Sequence, residues 1–311
     1  MTTLLCGSLA YDTIMVFPEP FKNHILSEQI HILNVSFLVP DLRREYGGCA
    51  GNIAWNLRLL GERPRIMATL GAQDGALYLQ RLRHHGFDVE HIRMIDGSYT
   101  AQAFITTDID DNQITAFHPG AMDHAHVNPI PALGDIELAI ISPDGRQGMI
   151  EHARDLAAAN IPFVFDPGQG LPMFSKKELD SFIEQARWCI VNDYEAQLLC
   201  QRTQYSLEDI SRRLDALIVT RGHEGSVIYT ANACINIPCV PVSTASDPTG
   251  CGDAYRAGLL YGLARQWPWL KIGRLASVMG AFKIEHRGGQ NHKPSKNQIA
   301  TRYQEVFGEG L

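Results

Sequence analysis

The stretch 247–262, DPTGCGDAYRAGLLYG, sets Gly250, Cys251 and Gly252 directly before Asp253 and an amphipathic run. A helix that begins near Gly252 leaves its first N–H groups unpaired, and the two glycines let another group approach that backbone closely. Those donors and the helix dipole suit an anion, so a negatively charged transition state would rest on the N–H groups of residues 250–253. Asp253, in the first turn, would take the proton of an attacking hydroxyl, and the dipole favours its ionised form. A loose phosphoryl-transfer transition state asks a base for little beyond orientation. Taken alone, the segment is more often an aspartate capping a helix after a glycine turn.

A second glycine-rich turn enters a helix at 46–61, YGGCAGNIAWNLRLLG. Gly47 and Gly48 leave the backbone bare, and Asn52 offers a donor and an acceptor to a hydroxyl. The alternative is a tight strand-to-helix turn with an asparagine cap. The stretch is not the dinucleotide fingerprint, because no acidic residue closes a first βαβ unit. Asp12 follows the first apolar run in GSLAYD. A carboxylate beyond the C-terminal end of a parallel strand faces the usual ligand crevice, where it would accept two hydrogen bonds from a cis-diol. By itself it is equally a turn residue.

Elements able to hold these groups follow from the patterning. Short apolar runs at 3–8, 65–70, 138–141, 162–165, 188–191 and 216–219 alternate with helical patterns at 50–60, 76–85, 148–158 and 194–200. Three helices, at 252–265, 270–285 and 295–307, close the chain. The alternation predicts an α/β three-layer sandwich, a central mostly parallel sheet with helices on both faces. Two regions depart from it. Residues 11–40 carry no good helix, only extended segments such as 30–39, and 101–117 is a hairpin pattern around DIDDNQ. Together, within about 12–40 and 98–118, they predict a small β-sheet lid on a single domain of residues 1–311.

At 311 residues, 45% hydrophobic and 20% charged, the chain is long enough for one large α/β domain. A net charge of −7 supplies no field that recruits nucleic acid, and no apolar stretch is long enough to span a membrane. The seven cysteines are scattered without a CxxC pair and the N-terminus lacks a basic leader, which points to reduced thiols in a cytoplasm. His118, His124 and His126 read as solvent histidines of a loop, not zinc ligands. Trp267 and Trp269 in QWPWL read as helix-end packing or as a homodimer contact.

With these motifs in order, the chain resembles the ribokinase-like (PfkB-type) carbohydrate kinase superfamily over almost its whole length. Gly47-Gly48-x-Ala50-x-Asn52-x-Ala54 with Gly61 and Gly71 is similar to the N-terminal signature, and residues 247–253 to the more specific C-terminal one. VNDYEA resembles its Asn-x-x-Glu element, here Asn192 and Glu195; TRGHEG, at 220–225, resembles its Thr-x-Gly-x-x-Gly. The resemblance implies a ribokinase-like fold with Asp253 as base and the Gly250–Cys251–Gly252 backbone as anion hole. It implies Asp12, Gly48 and Asn52 as a clamp on substrate hydroxyls, and Thr220, Gly222 and Gly225 around ATP. Asn192 and Glu195 would order Mg²⁺ through water. A monovalent cation such as K⁺ would lie at Asp247 and the loop 281–289.

Overall texture is most similar to the bacterial and archaeal adenosine-like nucleoside kinases, in runs such as YDTIM, ITAFHPGAM and FDPGQGLP. Phe37, Phe104, Phe117 and Met122 fall in or beside the expected lid, where aromatic faces suit a base; any one of them is equally ordinary lid core. Gln169 offers an amide to a base edge. The expectation is transfer of the γ-phosphoryl group of ATP to a nucleoside 5′-hydroxyl, a purine-salvage reaction. A ribose or fructose kinase, or a non-catalytic sensor of the same fold, is the alternative.

Overall fold

The computed structural model describes residues 2–25, 35–110, 112–130 and 135–311. The N-terminal half contains β1 (Thr2–Cys6), β2 (Ala10–Val16), β3 (Asp41–Gly47), α1 (Cys49–Leu59), β4 (Arg65–Gly71), α2 (Ala76–His84), β5 (Ile92–Ile95), β6 (Ala101–Thr107) and β7 (Gln113–His118). Then come β8 (Ile136–Ile141), α3 (Arg146–Ala158), β9 (Phe163–Phe165), α4 (Lys176–Gln185), β10 (Trp188–Asn192), α5 (Asp193–Thr203), α6 (Leu207–Ser211) and β11 (Ala216–Thr220). The chain finishes with β12 (Ser226–Tyr229), β13 (Cys234–Ile237), α7 (Cys251–Ala264), α8 (Trp269–Ile284) and α9 (Lys296–Phe307).

A nine-stranded sheet in the order β13-β12-β11-β10-β9-β8-β1-β4-β5 forms the middle layer. It is parallel from β5 to β11, and β12 and β13 add antiparallel at one edge. Both faces are buried, which is why the strands read as unbroken apolar runs. Leu5 faces Ile53 of α1 and Leu260 of α7 in one core, while its neighbours Leu4 and Cys6 face Met149 of α3 and Phe182 of α4 in the other. Trp267 packs edge-on to Tyr261, 5.5 Å between rings, at the end of α7. All seven cysteines are free, and among the described residues no helix is long and apolar enough to cross a membrane.

A separate four-stranded sheet, β3-β2-β6-β7, stands beside this layer. The hairpin of β6 and β7 is held by the buried Asp108, which accepts from Asp110 N, Asn112 N and Phe21 N at 2.8–2.9 Å. Residue 111, in that turn, lies outside the described residues. The extended segment expected at 30–39 falls on 30–34 outside the described residues, and 35–39 forms no strand. The strand is β3 instead, whose sequence DLRREYG is too charged to signal one; it is fixed by antiparallel pairing along β2. The loop expected around the three histidines is instead the end of β7, which carries His118, and a 3₁₀ helix, Gly120–Val127, which carries His124 and His126 and is tied to β4 by the Thr69 hydroxyl donating to Ala121 O at 2.7 Å.

Candidate active site

Strand ends and helix starts converge on one edge of the large sheet. Ser8 follows β1, Pro143 follows β8, Asp166 follows β9, and Asn192 and Thr220 end β10 and β11; all line a cleft of about 520 Å³. β1 sits between β8 and β4, so the chain order reverses there, the usual position for a ligand crevice in an open α/β sheet.

Glycines shape the two helix starts. Gly250 caps α7 with φ 78°, and Gly48 caps α1 with φ 85°, where a Cβ would lie 2.5 Å from Ser8 O. Both conformations are strained for other residues. Gly250, Gly252 and Asp253 line the cleft. Cys251 does not join them, because its N–H donates to Pro248 O at 3.1 Å and its thiol to Asp247 O at 3.8 Å. Both its donors are spent inside the turn.

Asp253 Oδ2 accepts from Asn52 Nδ2 at 2.8 Å, joining the first turn of α7 to that of α1. Asn52 is itself fixed from behind: its Oδ1 accepts from Gln290 Nε2 at 3.2 Å, and Gln290 Nε2 donates to Tyr78 OH at 2.7 Å. The Tyr78 hydroxyl donates in turn to Gly47 O at 2.6 Å. The expected lowering of the Asp253 pKa by the dipole is overturned. Burial pushes its carboxyl up to about 6, against the Arg256 charge and the Asn52 hydrogen bond and aided by Asp166 and Asp12. A carboxylate taken from water loses more than the helix end returns, and the result is a stronger base.

Arg256 and Asp166 were not legible as site residues. Arg256 lies one turn after Asp253 and forms a bidentate, buried pair with Asp166 in the floor of the cleft. The one available signal was an arginine on the otherwise apolar and small-residue face of α7, and an aspartate just past an apolar run.

Asp12 is not beyond the end of a parallel strand but within β2 of the small sheet, because the chain turns at Gly7 and Ser8 and enters a second sheet. It pairs with Glu45 and Ala103, and Ala103 pairs with Phe117, so Asp12, Ala103 and Phe117 form one row that faces the cleft. Burial, then the charges of Asp247 and Glu45, push the Asp12 carboxyl up to about 6. Phe104 is displaced by one residue and faces the opposite side with Thr13 and Arg44. Phe37 packs on Phe17 and Phe21 at 4.7 and 5.0 Å, and Met122 sits in the 3₁₀ helix. Of the four apolar residues expected near a base, Phe117 alone lines the cleft.

Asn192 and Glu195 form a reciprocal cap at the start of α5: Asn192 Oδ1 accepts from Glu195 N at 2.7 Å and Glu195 Oε2 from Asn192 N at 2.8 Å. Both also line the cleft, and burial raises the Glu195 carboxyl. Thr220 and Gly222 line the same wall, whereas Gly225 closes the β11–β12 turn, where a Cβ would meet Ile237 O at 2.1 Å. Gln169 is exposed at the rim. Asp247 accepts from Thr249 N and Gly288 N at 2.9 and 2.8 Å. Burial works to raise its carboxyl, but those bonds and the Lys283 charge hold it below the usual range. The place where the family resemblance implies a monovalent cation holds the ammonium of Lys283, which donates to Asp247 O and His286 O, each at 2.9 Å. The donor set does not fit an added ion.

The model of the pfkB family carbohydrate kinases matches residues 12–296. A nucleoside kinase of Methanocaldococcus jannaschii is 32% identical over 308 residues, covering 97% of each chain. The solved structure of Burkholderia thailandensis nucleoside kinase in complex with inosine is 51% identical, with a TM-score of 0.91 over 99% of both chains. The same enzyme in complex with ADP-inosine gives 52% identity and a TM-score of 0.88 over 99% of this chain and 97% of that one. Two glycine-opened helices meeting at Asp253, along the ends of a parallel sheet with a small sheet beside it, and the match across 12–296 lead to one assignment: the chain belongs to the pfkB family of carbohydrate kinases.

Proposed function

We propose that this kinase transfers the γ-phosphoryl group of ATP to the 5′-hydroxyl of a ribonucleoside such as inosine or adenosine. The observation that carries the reading is the row Asp12–Ala103–Phe117, which sets a carboxylate and an aromatic face together in the cleft that Asp253 also lines. A carboxylate pairs with a ribose cis-diol, and an aromatic face suits a base. Likeness to an enzyme solved with inosine supports it.

Asp12 and Asn52 hold the sugar, and Gly48 lets it lie close to the start of α1. The hydroxyl then meets Asp253, already oriented by Asn52. Asp253 takes its proton as the hydroxyl oxygen bonds to the γ-phosphorus and the bond to the leaving ADP oxygen breaks. Backbone N–H groups at Gly250 and Gly252 meet the charge on the transferred group. The buried Arg256 lends positive charge beneath them. Thr220 and Gly222 border the nucleotide, and the small sheet acts as a lid that excludes water. Mg²⁺, when bound, would neutralise phosphate charge; Asn192 and Glu195 fit a hydrated ion, since only Oε2 of the Glu195 carboxylate serves the cap. Free thiols suit the reducing cytoplasm.

The test is a side-by-side product assay with ATP against inosine, adenosine, ribose and fructose. Nucleosides are expected to exceed the free sugars by orders of magnitude in kcat/KM. A better rate with ribose or fructose rejects the nucleoside and keeps the kinase.

A further inference from the structure

Lys283 has no exposed surface, an unusual state for a lysine. It lies in the last turn of α8, and its Nζ reaches the carbonyls of Asp247 and His286. These carbonyls belong to two loops that are already stitched together: Ser246 N and Asp247 N donate to Ile284 O at 2.8 and 3.2 Å, and the Asp247 carboxylate accepts from Gly288 N. The lysine arm runs under the α7 cap, since a Cβ on Gly250 would lie 3.6 Å from Lys283 Cε. Carbonyl oxygens with a carboxylate close by are what a hard cation asks for.

We infer that Lys283 is a tethered monovalent cation, a positioning residue that fixes the 247–250 turn and so removes any need for K⁺. The ammonium carries the same charge as the ion. It donates to fixed carbonyls from a helix that is part of the core, so its binding does not depend on ion concentration. Its arm lies close beneath the Gly250 cap, and the carboxylates of Asp247 and Asp253 both feel its charge. The consequence for catalysis rests on the phosphotransfer reading; the consequence for ion binding does not.

The test compares the intact enzyme in KCl and in N-methylglucamine chloride at equal ionic strength and saturating Mg²⁺. Turnover, ADP affinity by calorimetry and Tm should each be the same, with rates within about twofold. Lys283→Met, checked for folding by circular dichroism, should lower kcat by about tenfold or more while nucleoside KM moves less than about threefold. K⁺-specific activation of the intact enzyme above about threefold, a K⁺-specific rise in its Tm, or a Lys283→Met variant with undiminished kcat overturns the inference. The Tm and calorimetric arms need no turnover, so they decide the ion question even where the proposed reaction is not observed.

Discussion

The large sheet and the small sheet share one cleft but are built in opposite ways. β8 of the large sheet is buried at nearly every position, whereas every residue of β7 in the small sheet is exposed. Helices cover both faces of the first, while the second leaves Leu42, Phe104 and Ile114 at 64%, 41% and 46% exposure on its outer face. Depth of packing sets how far a group is allowed to stray. Asp253, Arg256 and the capped helix starts stand on the layer that cannot move without opening a core. Asp12 and Phe117 stand on the one that can. On the proposed reading, the groups that act on the phosphoryl stand on the rigid layer, while much of the recognition, by Asp12 and Phe117, falls to the thin one.

If that division holds, Asp253→Asn gives the largest effect, a fall in kcat of about 10²–10⁴ with nucleoside KM within a few-fold. A variant that keeps near-normal single-turnover rates breaks it. Asp12→Ala should act the other way, on KM. An unmet hydrogen-bonding pair costs about 1–3 kcal/mol, so KM should rise about 5- to 150-fold with kcat less affected, and the preference for ribo- over 2′-deoxynucleosides that a cis-diol partner creates should vanish. An Asp12→Ala defect confined to kcat would erase the distinction between the layers.

The acid limb of kcat/KM sharpens the picture further, because both carboxyls are pushed up to about 6. Activity should fall as the pH drops through 6, with a slope between one and two that Asp12→Asn reduces to one. A midpoint near the ordinary carboxylate value rejects the buried base. The same shift has a stability sign. Folded Asp253 binds its proton more tightly than the unfolded 3.8, so its burial costs stability that grows as pH rises from there through 6. Asp253→Asn should therefore raise Tm at pH 7 and lose that advantage near pH 3.

Glu195→Gln preserves the cap to Asn192 N but removes a charge, so the Mg²⁺ titration should shift several-fold with nucleoside KM unchanged. The smallest contrast compares neighbouring phenylalanines. Phe117→Ser should raise nucleoside KM several-fold, and Phe104→Ser, one step to the other face, by less than about twofold. Equal effects would mean that the register is not what sorts them.

What was legible in the sequence was local. A glycine turn or a capping pair ahead of a helix is written in nearby residues, so the starts of α1 and α7, and that of α5 with its Asn192 and Glu195, could be placed to within a residue or two. The parallel strands were legible because burial on both faces makes them uniformly apolar. Facing direction in the small sheet was not, since period-two alternation separates Phe104 from Phe117 only once the pairing of β6 with β7 is known. Charged β3 gave no apolar signal at all. Arg256 and Lys283 were missed because a buried charge is recognised by its partner, and Asp166 and the Asp247 carbonyl lie 90 and 36 residues away.

The tie between Asn52 and Asp253 joins residues 201 positions apart, and Gln290 reaches back to Asn52 across 238. Trp55 and Asn56, from the same helix, bond to His292. Closing such a span costs chain entropy that grows slowly with length, and none of it is recovered until the last third of the polypeptide is present. During synthesis, α1 therefore waits with its polar face unmet while nearly the whole protein emerges. An early helix and a late one are locked by that contact, so a nascent chain, or one clipped before α7, lacks the hydrogen bond that orients Asp253.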